Sequence, residues 1–248
     1  MSIEKTDAIV IRQADFSESS RVVTFFSRDW GRISTVAKGA KRLKGPFDAA
    51  LDLLAVCRIV FLRKSSSSLD ILTEAQLVSR FRPNERSLAS LYGWYYVAEL
   101  LAGLTEEYDP HPLLYEEAVK TLDILAHQGD PLLSVLRFEL VILREIGQLP
   151  AFDYCVGCGA PLTQSGPFAY WVSQGGLICP SCQKEGLDKH RIQAGTVSLL
   201  KHLSSESDPL SERLAVSASQ MQEMRHVATA AVSHVLGRRP KMLRYLQL

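Results

Sequence analysis

Two Cys-x-x-Cys pairs, Cys155/Cys158 and Cys179/Cys182, are the residues whose spacing speaks most directly of chemistry. Two intervening residues let one tight turn aim both sulfurs at the same metal. The twenty-residue insert from Gly159 to Ile178 is long enough to bring the second turn opposite the first, giving a tetrahedral set of four thiolates. Gly157 and Gly159 allow the positive φ that such turns use, and Pro180-Ser181 fill the second turn. Phe168, Tyr170, Trp171 and Val172 read as a short strand running to Gly175-Gly176, so the unit is expected to be a zinc ribbon with a hairpin. Four thiolates fill the coordination sphere and leave no open position for water or substrate, which points to structural zinc. Disulfides or free thiols are the competing readings. His190 is the nearest spare ligand, although its place in a Lys-His-Arg run suits a surface histidine.

A second kind of chemistry is suggested by Val36-Ala37-Lys38-Gly39-Ala40-Lys41-Arg42-Leu43-Lys44-Gly45. Small residues let the backbone approach a ligand while long cationic side chains project from it. Lys38, Lys41, Arg42 and Lys44 could neutralise several phosphates, with an affinity that falls as salt is added. The same stretch would also serve as a solvated loop. Trp30 at a turn and Phe47 just after the loop are candidate stacking aromatics, although Trp30 could equally plug the end of a barrel. Arg12, Arg21 and Arg32 flank strand ends and either extend the positive face or pair with Asp15, Glu18 and Asp29. A second basic patch, Arg238, Arg239, Lys241 and Arg244, follows the last expected helix, where the helix dipole alone would favour cations.

The elements that must position these groups follow from hydrophobic period. Ala8–Ile11, Val22–Phe26, Ile33–Val36, Val56–Leu62 and Leu69–Val78 are apolar, β-branched runs between turn residues. Five such strands, with a short helix expected over Pro46–Leu54, fit an OB-fold, and an SH3-like barrel would give a similar pattern. Arg28-Asp29-Trp30-Gly31 reads as a hairpin turn. At Phe81-Arg82-Pro83-Asn84 the period lengthens to that of helices, with apolar stripes at Leu88–Leu101, Leu114–Leu125, Leu133–Leu143, Thr196–Leu203 and Met221–Val235. The expected class is α+β. An OB-fold nucleic-acid-binding domain would span 1–82, and a helical domain would span 83–150 and 191–248, interrupted by the zinc ribbon at 151–190.

The chain has 248 residues and is 46% hydrophobic, enough for real cores. Its net charge of +1 hides an asymmetry: residues 1–82 hold 14 Lys/Arg against 9 Asp/Glu, a balance of +5, leaving −4 elsewhere. No apolar run approaches the length of a membrane span, so the expectation is a soluble, intracellular protein with reduced thiols, and with Cys57 buried in a strand. No phosphate loop, dinucleotide turn, His-Glu-x-x-His or nucleophile elbow is present, and no catalytic residue is assigned.

Taken together, the chain resembles the RecO family of bacterial DNA repair proteins. The matching residues are Ala8-Ile9-Val10-Ile11-Arg12, the Phe16–Arg21 segment with Glu18, Ser20 and Arg21 in a Tyr-x-Glu-x-Ser-Arg-like pattern, Val22–Phe26, Gly31 and Ala37-Lys38-Gly39-Ala40-Lys41-Arg42. Tyr96–Leu100, Phe138–Gly147 and the two cysteine pairs, which many members carry, extend the match over essentially the whole chain. The resemblance implies a recombination mediator that is not an enzyme. It would bind single- and double-stranded DNA, anneal complementary strands, and act with RecR and the C-terminal tail of single-strand-binding protein to load RecA, in the bacterial cytoplasm at the nucleoid. It also implies DNA contacts at Lys38, Lys41 and Arg42, and zinc ligation by the four cysteines. The sequence departs from the family at Gly45-Pro46-Phe47, where many relatives carry a small polar residue and Arg before the Phe, so no phosphate contact is carried over to that position.

Overall fold

A computed structural model describes residues 2–42, 47, 50–64, 69–80, 87–127, 130–162, 166–183, 190–205 and 215–246. The chain divides into two compact units, Met1–Gln128 and Gly129–Leu248. The domain boundary expected at 81–84 lies outside the described residues, and the first two helices belong to the first unit.

Five strands form a closed barrel: β1 (Ser2–Asp15), β2 (Arg21–Ser27), β3 (Gly31–Ala37), β4 (Ala55–Arg63) and β5 (Asp70–Arg80), in the order β1-β2-β3-β5-β4. All pairs are antiparallel except β3 with β5. That closure is the OB-fold order, which separates it from the SH3-like alternative. β1 is far longer than its apolar run. Its first half, Ser2–Ile9, pairs with β4, and its second, Ala8–Asp15, pairs with β2. A register shift between Val10 and Arg12 lets one strand serve both neighbours, as bulges do at barrel corners. Ala8, Val10, Val23, Phe25, Ile33, Cys57, Ile59 and Phe61 point inward with no exposed surface. Where a helix was expected before β4, the described residues form turns, with Ala50 N–H donating to the Phe47 carbonyl at 3.2 Å and Ala55 N–H to that of Asp52 at 3.0 Å.

α1 (Leu88–Leu104) is capped by the Ser87 hydroxyl, which accepts from the Ser90 N–H, and it buries residues on more than one face. α2 (Pro112–His127) packs on it and buries Leu114, Ala118, Leu122 and Leu125, and the Trp94 indole N–H donates to the Leu122 carbonyl at 3.1 Å. The segment between these helices and the first turns of α2 are bonded to the barrel. Tyr108 N–H donates to the Arg32 carbonyl at 3.1 Å, the Arg32 Nε donates to the Thr105 carbonyl at 3.1 Å, and Arg28 pairs with Glu116 at 2.7 Å. Gly31 makes the close approach possible. Its φ is +64°, and a Cβ there would sit 2.0 Å from the Asp109 carbonyl oxygen.

The second unit contains α3 (Pro131–Glu145), started by Asp130, whose carboxylate accepts from Leu132 and Leu133 N–H, then the cysteine ribbon, α4 (Ala194–Ser204) and α5 (Ala218–Leu236). α5 opens with a reciprocal cap between Ser217 and Gln220 and ends at Gly237. Arg225 on α5 and Glu139 on α3 form an ion pair at 2.7 Å with side chains 5% and 0% exposed. Among the described residues, no helix is long and apolar enough to cross a membrane.

Candidate nucleic-acid interface and metal centre

The basic stretch leaves the end of β3 as a turn in which Arg42 N–H donates to the Gly39 carbonyl at 3.1 Å. It is fastened twice to the β1–β2 connection. Lys41 N–H donates to the Ser19 carbonyl at 3.2 Å, and Lys41 Nζ lies 2.9 Å from the Asp15 carboxylate. Asp15 also meets Arg21 at 3.6 Å, and Arg21 donates to the Gln13 side chain at 3.2 Å. The Lys41 hydrogen bond, opposed by desolvation and aided by the charges of Lys41 and Arg21, holds the Asp15 carboxyl below its ordinary pKa. One carboxylate thus positions two cations, and Lys38 and Arg42 remain exposed, with side chains that have no hydrogen-bond or ion-pair partner among the described residues. Lys44 lies outside the described residues.

The strand register decides which arginines join this cluster. Arg21 lies opposite both Asp15 and Ala37, beside the basic turn. Arg12 is exposed at the bulge, in a row with Thr24 and Ser34, whose hydroxyls are 3.2 Å apart. Arg32 sits at the other end of β3, its Nε committed to the Thr105 carbonyl. The two aromatics expected to stack on bases are otherwise engaged. Phe47 is 6% exposed and packs in the barrel core with Ala50 and Leu51. Trp30 is half-buried, meets Phe61 edge-to-face at 6.4 Å, and carries the Arg63 guanidinium 4.8 Å above its ring. Trp30 also packs against the barrel core. Arg63 also lies 4.7 Å from the Tyr108 ring, and the Tyr108 hydroxyl donates to buried Asp70. That aromatic–cation stack could not be read from sequence, because its parts are 78 residues apart at the extremes, from Trp30 to Tyr108.

In the second unit, Arg238, Arg239, Lys241 and Arg244 are exposed just after α5, and Arg244 rests 4.7 Å over the Tyr245 ring.

The four cysteines converge. Their sulfurs lie within 4.8 Å of one another, and Cys158 and Cys179 Sγ are 4.0 Å apart. Four ligands at a zinc–sulfur distance of about 2.3 Å would be about 3.8 Å apart, so a small closure of this set produces a tetrahedral site. The backbone is already arranged for it. Cys155 N–H donates to the Ala160 carbonyl at 2.8 Å, Gly159 N–H to that of Cys155 at 2.8 Å, and Cys179 N–H to the Cys155 sulfur at 3.3 Å. Burial opposes ionisation of Cys155, but N–H groups of Cys179, Gly157 and Cys158 outweigh it and bring the thiol down to about 6. Gly159 has φ +73°, as a turn of this kind requires. Gly157 does not, and its need is for space: a Cβ there would meet the Cys182 Cβ at 3.2 Å. The hairpin is formed by β6 (Ala169–Trp171) and β7 (Gly176–Ile178), and it backs the cluster with Ala169 and Ile178. All four cysteines are free thiols, and together they can hold a metal ion. Cys57 is separate, buried in the barrel with its thiol donating to the Ala50 carbonyl.

Comparison with known proteins covers most of the chain. A family model described as "Recombination protein O N terminal" matches residues 1–81, and one described as "Recombination protein O C terminal" matches residues 85–244. A protein named DNA repair protein RecO from Rhodopirellula baltica is 39% identical over 202 residues, covering 81% of this chain and 75% of its own. One of the same name from Anaeromyxobacter dehalogenans is 33% identical over 249 residues, covering 99% and 96%. Another, from Syntrophus aciditrophicus, is 28% identical over 246 residues, covering 98% and 94%. With both terminal models matched in order and relatives aligned along nearly its full length, this chain belongs to the RecO family.

Proposed function

We propose that this chain is a DNA repair and recombination mediator that binds single- and double-stranded DNA, anneals complementary strands, and helps load RecA on DNA coated with single-strand-binding protein. Its partners would be RecR and the tail of single-strand-binding protein, and its place the bacterial cytoplasm at the nucleoid. It works without bond-making chemistry. The observation that carries the reading is the basic turn at the end of β3, where Lys38 and Arg42 stand exposed with no carboxylate partner among the described residues, while Lys41 is pinned to Asp15 and Ser19. A cation already paired in the protein gains little from phosphate, whereas an unpaired one releases counterions on binding. Annealing follows from the same physics: partial neutralisation of two strands by one basic surface lets complementary bases meet.

Zinc, in this proposal, is structural. Held by Cys155, Cys158, Cys179 and Cys182, it would close the ribbon between α3 and α4 and supply folding energy to the second unit.

The test is annealing of complementary DNA strands coated with single-strand-binding protein, by the wild-type chain and by a Lys38→Ala/Arg42→Ala variant, with an RNA pair as control. The wild type is expected to anneal DNA and the variant to lose most of that rate. A wild type that anneals neither, or a variant that anneals as well as the wild type, would count against the reading.

A further inference from the structure

Among the described residues of the barrel, Phe16 presents its ring to solvent with no ring or cation partner for its face. Phe16, the first residue after β1, is 61% exposed, whereas Phe25, Phe26 and Phe61 are fully buried, Phe47 lies in the core, and Trp30 is covered by Arg63 and Phe61. The loop that carries it has a defined shape. Phe16 and Ser17 N–H both donate to the Ser20 carbonyl, at 3.1 and 3.2 Å, and Ser20 N–H returns to the Ser17 hydroxyl at 3.2 Å. This loop is also the one that holds the basic turn, through Ser19 to Lys41 N–H and through Asp15, next to Phe16 in sequence, to Lys41 Nζ. The exposed ring and Lys38 and Arg42, cations with no partner among the described residues, are therefore carried by two loops bonded to each other.

We propose that Phe16 is the base-stacking platform of the barrel and that, with Lys38 and Arg42 taking the flanking phosphates, it makes this site selective for single-stranded DNA. The assignment presupposes that the barrel binds DNA. Its chemistry is that of a flat apolar face beside cations: the ring takes up an unpaired base of any identity, while the backbone is held electrostatically. In a duplex each base face is covered by its neighbour in the stack, so Phe16 has nothing to stack on, and duplex affinity rests on the cations alone. Protein-contact use of the same ring is the competing possibility, and it predicts no effect on DNA.

The experiment compares the full-length wild type with Phe16→Ala and Phe16→Trp by fluorescence anisotropy, using a labelled oligo-dT and a blunt duplex across a NaCl series. Because the side chain is exposed, all three proteins should melt alike. Phe16→Ala is expected to bind oligo-dT about tenfold or more weakly, with an unchanged slope of log affinity against log salt and unchanged duplex binding. Phe16→Trp should restore oligo-dT affinity, and its added indole emission should be quenched on binding. Wild-type-like oligo-dT binding by Phe16→Ala, an equal loss on duplex, or a Phe16→Trp variant that binds without quenching would each overturn the assignment. A wild type that binds neither probe would remove the DNA reading itself, and with it this one, which is a separate outcome from a binding wild type that is indifferent to Phe16.

Discussion

At the scale of single residues, environment matters more than type. Gly31 and Gly237 both have positive φ, +64° and +67°, but a Cβ at Gly237 has open space around it, while one at Gly31 would collide with the Asp109 backbone. Gly237→Ala should therefore cost only the left-handed strain, about 1–2 kcal/mol, and Gly31→Ala clearly more, as measured by urea unfolding. Equal costs would mean that the β3 approach to the α1–α2 segment is not tight in solution. Cys57 offers a second check. Burial, reinforced by the Asp52 charge, pushes its thiol up to about 12 from an ordinary value of 9.0. The folded protein should resist alkylation at Cys57 near pH 8 while unfolded protein reacts. Since the unfolded thiol ionises at lower pH than the folded one, the unfolded state holds fewer protons above pH 9, and this group's contribution to stability falls as pH rises through that range. Sequence showed which residues were cationic and which cysteines shared a spacing, because those properties travel with residue type. It did not show which aromatic faced water. Phe47 follows a basic run yet turns into the core beside Leu51, and Phe16 sits in a polar stretch yet has no core to join.

At the scale of elements, two interactions hold the second unit in ways that separate cleanly by experiment. The Arg225–Glu139 pair joins α5 to α3 in a nearly dry setting. Removing one partner, as in Arg225→Met, should cost about 3–5 kcal/mol by taking a buried counter-charge from Glu139, while Arg225→Met with Glu139→Leu should recover most of that loss. Chemical denaturation of the two variants decides it, and additive losses would contradict the picture. The cysteine ribbon is the other. Cys155→Ser/Cys158→Ser should abolish zinc binding measured by elemental analysis and lower the melting temperature, yet leave DNA affinity of the folded fraction near wild type, since the basic turn lies in the other unit. Wild-type melting in a zinc-free variant would show that metal does not stabilise the ribbon. The strands were legible in their apolar cores and not in their full extent. β1 reaches from Ser2 to Asp15 because two neighbours and a bulge use it in halves, a tertiary fact that a run of Ala8–Ile11 does not announce.

At the scale of the whole molecule, a modest net charge of +1 conceals a division of labour. Cations gather on the barrel module, where β1, β2 and β3 meet at the Asp15–Arg21–Ala37 corner, and the ribbon and the α3–α5 helices make up a second unit with its own core. A five-stranded barrel could be anticipated from five apolar runs, but the assignment of α1 and α2 to the barrel's compact unit could not, because it depends on contacts such as Tyr108 with Arg32 and Arg28 with Glu116. Lys38 and Arg42 are, in the function proposed, the cations that meet DNA phosphates. The most direct test of that role is the salt dependence of duplex binding by the wild type and by Lys38→Ala/Arg42→Ala. Two lost phosphate contacts should weaken binding and make the slope of log affinity against log salt shallower by about 1.8. A folded double variant with the wild-type slope would place the DNA elsewhere on the molecule.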